Sequence, residues 1–287
     1  MQPVLFRLPE FLPLVGGAPI NSFGVLLYLA FVAGGIVLHR EFSRKGYEGA
    51  KAWDIVFWTL IAGLVGAKLY WVAAHPDLLR ADPAGTLFSG EGLTWYGGFA
   101  LGLLVFWLSV RRAGIPEAPA LDALGLALPL SISVGRIGCF LAGDDYGRPT
   151  DFALGVAFPD GHPPTRVDVL ESRFGVVVDP ALIERFGEVV PVHPTQLYEA
   201  ALSLIVFGVV YLFRKHPHRA GWLFAFWLTL YGGQRFVIEI LRVNPRVFLG
   251  LTEAQILSLL ASALGAYFLF RTSRKGEGRK ERVAAAG

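Results

Sequence analysis

The sequence predicts an all-α integral membrane protein, seven transmembrane helices with a small extracytoplasmic lobe, and three observations lead there. Of the 287 residues, 54% are hydrophobic and only 17% are charged. Apolar runs near the roughly 20 residues that cross a bilayer recur near 20–39, 52–74, 93–110, 121–139, 195–213, 220–241 and 253–271. The segments joining these runs alternate between basic and weakly charged.

Taken in order, residues 1–19 read as an interfacial arm, in which Phe6, Leu8, Phe11, Leu12 and Leu14 are punctuated by Pro9 and Pro13. The prolines oppose a regular helix. Arg7 alone makes no basic leader into a short apolar core, so no cleavable signal peptide is expected. The first run is followed by Arg40, Arg44, Lys45 and Lys51, the second only by Arg80, the third by Arg111 and Arg112, and the fifth by Arg214, Lys215 and Arg219. Arg271, Arg274, Lys275, Arg279, Lys280 and Arg282 follow the seventh. The positive-inside rule makes these basic segments cytoplasmic. The N-terminus is then outside and the C-terminus cytoplasmic, which an odd number of spans satisfies. The fourth run is the weakest, interrupted by Pro129, Gly135, Arg136 and Gly138, which a span tolerates only where neighbouring helices satisfy the freed backbone groups. The Gly- and Pro-rich stretch from about 143 to 192, with strand-like pieces at Gly175–Val178 and Glu188–Val192, reads as a soluble extracytoplasmic insertion in a membrane domain of residues 20–273. Residues 274–287 read as a disordered, basic cytoplasmic tail.

Composition narrows the function. A lone cysteine, Cys139, forms no internal disulfide, and six histidines not spaced as ligands give no metal site; no cofactor is expected. A formal net charge of +3 gives no reason to expect a nucleic-acid partner. There is no internal repeat of the kind many transporters carry.

The most informative stretch is Tyr231–Arg242. On a helix, Arg235 and Glu239 are four apart and Glu239 and Arg242 three apart, so one face presents cation, anion, cation. Such a face in a span must look at protein, water or a charged ligand. Its excess guanidinium suits a phosphate or carboxylate. The loop-derived topology places other polar residues at the same outer level: Lys68 and Tyr70, Trp95 and Tyr96, Arg136, and His193, Gln196, Tyr198 and Glu199. Each has a plainer reading beside the functional one. Arg136 and Lys68 can snorkel, although Gly135 and Gly138 hold Arg136 inward by allowing close helix approach. His193 can cap the helix that Pro194 begins, or carry a proton. Trp95, Tyr96, Gly97 and Gly98 can be aromatic belt and close packing, or paired glycines that admit a lipid headgroup while the Tyr96 hydroxyl faces a cavity. Cys139 fits a packing role. The Arg235/Glu239/Arg242 face can itself be a structural ion network.

At these residues the chain resembles the bacterial prolipoprotein diacylglyceryl transferase family. The resemblance spans nearly the whole chain and rests on Gly135–Phe140 continuing through Gly143–Asp151, on His193–Glu199, on Tyr231–Arg242 and on Leu251–Ser258. It implies transfer of an sn-1,2-diacylglyceryl group from phosphatidylglycerol to the thiol of the lipobox cysteine of a preprolipoprotein, giving a thioether and glycerol-1-phosphate. The implied partners are therefore phosphatidylglycerol, the preprolipoprotein lipobox peptide and the lipid bilayer. The resemblance further implies that Arg136 and Arg235 hold the phosphate and leaving group, with Glu239 paired to them and Arg242 in support. Gly147 and Asp144 would lie beside the headgroup, and Asp122 and Tyr231 fall on family positions. The chain departs from the family pattern at Tyr96, where many members have histidine, at Cys139 for asparagine, at Phe23 for tyrosine and at Lys68 for arginine. Tyr96 and His193 both stay open as carriers of the thiol proton. A paralogue acting on another acceptor, or a non-catalytic anion- or lipid-binding membrane protein, are the alternative functions.

Overall fold

The computed structural model describes residues 3–11, 16–88, 92 and 94–273. The predicted tail at 274–287 lies outside the described residues. Within them the protein is mostly helical, and the strands form only two antiparallel pairs. The first pair joins β1 (Val4–Arg7) to β2 (Pro19–Asn21), so the N-terminal arm is a short ribbon leading straight into α1 (Ser22–Arg44). Then follow α2 (Lys51–Ala74), the short α3 (Pro76–Ala81) and α4 (Pro83–Phe88), α5 (Trp95–Arg112) and α6 (Glu117–Ala142). The next segment holds α7 (Val167–Phe174) and α8 (Pro180–Phe186), and the chain ends with α9 (Thr195–Leu212), α10 (Trp222–Ile240), the pair β3 (Arg246–Phe248) and β4 (Leu251–Thr252), and α11 (Glu253–Thr272).

Among the described residues five helices, α1, α2, α6, α9 and α11, are long and apolar enough to cross a membrane. α5 and α10 fill the other two predicted runs with 18 and 19 residues, and each is diluted by polar residues. The weakest predicted run became the longest helix, with 26 residues and Pro129 inside it. Its neighbours explain this. Ser131 donates to the Ala30 carbonyl and Ser133 to the Ala200 carbonyl, both at 2.9 Å, tying α6 to α1 and α9 around the proline.

The chain divides into two compact units. One is built from Met1–Ala33 and Leu124–Gly287, the other from Gly34–Ala123. In the second unit α2 packs along α5 through glycines on both helices. A Cβ on Gly97 would run into the Gly66 carbonyl, and one on Gly98 would sit 3.0 Å from the Gly63 carbonyl. The room that Gly97 and Gly98 offer is therefore used by helix contact, where the sequence also allowed for a headgroup. Also in this unit, Lys45 Nζ lies 3.3 Å from the buried Asp122 and 3.1 Å from the Pro119 carbonyl.

In the first unit α10 packs against α9 and α11. Gly232 and Gly265 permit the close approach to α11: a Cβ on Gly232 would meet the Ser258 carbonyl at 2.6 Å. The stretch 143–192 has its own apolar cluster of Tyr146, Phe158, Leu170, Val178, Val190 and Val192, with Phe140 from the end of α6 packed on it. The strand-like pieces predicted here do not form strands. Val189 and Val192 make isolated bridges to Arg166, Pro149 and Val156, while Gly175 is the left-handed cap that ends α7. Buried valines satisfy a strand pattern and a compact irregular core equally well, because periodicity reports only which side chains are hidden.

Candidate active site

Three elements of the first unit converge where α6, α9 and α10 end or begin. α6 contributes Arg136, the loop after it Asp145, the first turns of α9 Glu199, the last turns of α10 Arg235 and Glu239, and the residue beyond its cap Arg242. They form a closed ring of alternating charge. Arg136 Nε is 3.0 Å from Glu199 Oε2, which is 3.2 Å from Arg235 Nη1. Arg235 Nη2 is 3.0 Å from Glu239 Oε2, and Arg242 Nε is 3.6 Å from the same oxygen. Arg242 Nη2 donates to Asp145 Oδ1, and Asp145 Oδ2 accepts from Arg136 Nη1 at 2.7 Å, which closes the circle. Three guanidiniums face three carboxylates, so the ring is neutral.

The expected helical triplet is thus only half of the arrangement, and one of its members is placed differently. α10 stops at Ile240 with Leu241 as its cap, and Arg242 leaves the helix to pair with Gly147 in an antiparallel bridge. The backbone explains the break. Arg148 N donates to the Leu241 carbonyl at 2.8 Å, and Pro245 biases the residue before it away from helix. Arg242 still reaches Glu239, from just beyond the helix cap rather than from within the helix. Gly147 must be glycine here, since a Cβ would lie 2.6 Å from the Leu241 carbonyl and 2.9 Å from the His193 Cβ.

The buried carboxylates are individually held. Glu239 Oε1 accepts from Asn244 Nδ2 at 2.6 Å and from the Thr252 hydroxyl at 3.0 Å. Thr252 is at the same time the N-cap of α11, in a reciprocal capping box with Gln255. This gives the Leu251–Ser258 motif a local reason: one threonine starts a helix and fixes a site carboxylate. Gln234, one residue before Arg235, donates to Ser203 at 2.7 Å and cross-links α10 to α9.

The Asp144–Asp145 pair splits into two environments. Crowding by the ring side chains opposes ionisation of the partly exposed Asp145 carboxyl, but the Arg242 and Arg136 guanidiniums overcome that and hold it well below the usual carboxylate range. Asp144 was the residue singled out from the sequence, yet its neighbour pairs with the arginines. Burial, reinforced by the Asp145 charge, pushes the Asp144 carboxyl up to about 6. Its carbonyl accepts from Gln196, and the Thr195 hydroxyl donates to the Asp145 carbonyl at 2.9 Å, so the start of α9 fixes this loop. Tyr146, buried in the adjacent apolar cluster, anchors it from the other side.

Cys139, Asp144 and Asp145 bring ligand-type atoms within 4.8 Å of one another. Two guanidiniums already engage the Asp145 carboxylate, so the trio reads as part of the charge network rather than as a cation site. Cys139 is buried, its Sγ 3.7 Å from Arg136 Nη1. Gly138 packs against Phe23 and Leu26 of α1. Tyr231 is half-buried and stacks on Trp227 with ring centroids 5.3 Å apart. The His193 ring lies beside Tyr198, its Nδ1 3.5 Å from the hydroxyl, while its backbone pairs with Arg148 and Gly147. Burial lowers its pKa, which favours neutral imidazole.

Lys68, Tyr96, Gly97 and Gly98 belong to the second unit. There Lys68 Nζ sits 5.0 Å from the Trp71 ring centroid, and the exposed Tyr96 ring neighbours Tyr70 and Trp95. Sequence reading did not single out Asp145 as a site residue, and it saw Glu199 only as a polar group at the right level. The available signal was an acid inside a motif, Asp145 in Gly143–Asp151 and Glu199 in His193–Glu199.

Comparison with known proteins places the chain. A family model described as prolipoprotein diacylglyceryl transferase matches residues 9–271. Relatives named phosphatidylglycerol–prolipoprotein diacylglyceryl transferase include one from Clostridium tetani, 26% identical over 275 residues, covering 96% of this chain and 98% of that relative. One from Bordetella avium is 28% identical, covering 86% and 87%. One from Mycobacterium bovis is 29% identical over 252 residues, covering 83% of this chain but 52% of the relative, so the chain spans about half the length of that protein.

Proposed function

We propose, from the premise that the chain belongs to the prolipoprotein diacylglyceryl transferase family, that it transfers the sn-1,2-diacylglyceryl group of phosphatidylglycerol to the lipobox cysteine of a preprolipoprotein. The observation that carries this reading is the ring of three arginines and three carboxylates, of which Glu199 and Glu239 are fully buried. The reaction forms a carbon–sulfur bond, breaks the carbon–oxygen bond to phosphate and releases glycerol-1-phosphate. Charge develops on the phosphate oxygens as that bond breaks, and preorganised guanidiniums stabilise charge there most effectively. Arg136 and Arg235 hold the phosphate, Arg242 supports it, and Glu199 and Glu239 fix the guanidinium planes. The incoming thiol must lose a proton to become a nucleophile. Tyr96 and His193 are the two carriers that the sequence nominates; for Tyr96, and for Lys68 as a further cation toward the phosphate, the support is the outer level at which the loop-derived topology places them.

The same reading makes the protein a seven-span enzyme of the bacterial inner membrane, with α5 and α10 crossing beside the five more apolar helices. The interfacial arm at 1–19 and the 143–192 insertion are then extracytoplasmic, and the tail from 274 is cytoplasmic. The alternation of basic segments supports this orientation. Purified protein, radiolabelled phosphatidylglycerol and a lipobox peptide test the activity. Label should pass to the cysteine peptide, not to its Cys-to-Ser version, and should be lost with Arg235→Ala. Lipid binding without any labelling of the peptide would refute the assignment.

A further inference from the structure

Asp145 differs from the other two carboxylates of the ring in three respects. Its side chain is 43% exposed, against 0% for Glu199 and Glu239. It lies on the loop after α6 rather than on a helix, with a left-handed φ of 58° that aspartate and asparagine tolerate better than other residues with side chains. Each of its oxygens takes a different guanidinium, Arg136 on one and Arg242 on the other. Two oxygens of a phosphodiester would be gripped by the same two donors in the same way. Arg242 is 5% exposed and its Nη1 has no hydrogen-bond partner among the described residues, which leaves a donor over for an anion larger than a carboxylate.

Charge decides how such an anion could enter. The closed ring sums to zero, so a phosphodiester added to it would bury an uncompensated negative charge, which is costly. Exchanged for Asp145, the phosphodiester brings one negative charge and removes one. Glu199 and Glu239 cannot make the exchange, because both are fully buried and Glu239 is also held by Asn244 and Thr252. We infer that Asp145 is an internal stand-in for the lipid phosphate: it occupies the Arg136–Arg242 fork until the phosphodiester displaces it, and so sets the affinity of the enzyme for its lipid. This rests on the proposed transferase reading and adds a residue that determines substrate affinity.

The test uses full-length protein in detergent and two probes, glycerol-1-phosphate and phosphatidylglycerol in mixed micelles, with binding measured by calorimetry. Asp145→Asn keeps a residue that accepts the left-handed backbone but removes the charge; Asp145→Glu keeps the charge. Asp145→Asn should bind both probes about tenfold more tightly, the net contribution of a hydrogen bond to a charged group, and lower the KM for phosphatidylglycerol. Asp145→Glu should stay near wild type. Equal or weaker binding by Asp145→Asn, or equal tightening by Asp145→Glu, would overturn the inference while leaving the transferase reading intact. Tightening toward the lipid alone would remove Asp145 from the phosphate subsite. Should wild type bind neither probe, the phosphate reading fails with it. If Asp145→Asn does not fold, Asp145→Gly, which accepts the left-handed backbone, carries the same readout.

Discussion

Glu239→Gln isolates what the charge ring contributes. Glutamine fills the same space and can still accept from Asn244 and Thr252, so the local fold of the β3–β4 turn and the start of α11 should persist. The lost charge leaves Arg235, 3.0 Å from Glu239 Oε2, sharing Glu199 with Arg136, and leaves Arg242 with Asp145 alone. Removing one partner from a buried ion pair costs about 3–5 kcal/mol, because the remaining charge stays desolvated. At about 2 °C per kcal/mol for a chain of this size, the melting temperature should fall by about 6–10 °C. Thermal unfolding in detergent reads this directly. Glu199→Gln should cost a similar amount, and the double variant should cost more than the sum, since each single variant leaves Arg235 one carboxylate and the double leaves it none. A melting temperature unchanged in Glu239→Gln, or strict additivity in the double variant, would refute the view that the six side chains act as one neutral unit.

Three further outcomes follow from the geometry. Gly147→Ala places a Cβ 2.6 Å from the Leu241 carbonyl, so it should break the bridge that positions Arg242, costing about 1–3 kcal/mol in thermal unfolding and more than proportionately in transfer activity. Asp144 has a folded-state pKa of about 6, above its unfolded value, so its protonated form favours folding; stability should be highest at low pH on its account and decline as pH rises from about 4 to 6. Asp144→Asn should flatten that decline in a pH series of melting temperatures, and an unchanged slope would refute it. Gly97→Ala forces α5 away from α2 at the Gly66 carbonyl, so it should lower stability by about 1–3 kcal/mol and do so in lipid-free detergent, whereas a role confined to the headgroup would leave unfolding unchanged.

The helices were legible because apolar runs of span length leave few alternatives, and the site level because charges inside such runs are costly. Pro129 misled only in degree. It marked the fourth run as weak, yet the hydroxyls of Ser131 and Ser133, which bind carbonyls of two neighbouring helices, could not be paired with them from the sequence. Arg242 was read as helical although it lies two residues beyond the end of α10, since nothing local announced that Gly147, 95 positions earlier, would capture the backbone at that point. The net charge of the site was misjudged for the same reason. A helical face reports only its own residues, and here the two balancing carboxylates arrive from the loop after α6 and from the start of α9.

That neutrality bears on the family departure at Tyr96. On the proposed reaction, a phosphodiester that has replaced Asp145 leaves the ring neutral, with three guanidiniums facing two glutamates and one phosphate charge. Cleavage of the carbon–oxygen bond would give that phosphate a second negative charge and unbalance a ring whose glutamates are fully buried. Passing the thiol proton to the departing phosphate restores the balance as the charge appears. A proton with that destination needs a relay more than it needs a strong base. A tyrosine hydroxyl, which both donates and accepts, can serve as a relay although its unperturbed pKa of about 10 makes it a poor base at neutral pH. Tyr96→Phe then separates the roles. A relay that water can replace predicts a partial loss of kcat, with KM for phosphatidylglycerol held, whereas complete loss would make the hydroxyl itself the essential proton carrier and refute the relay account.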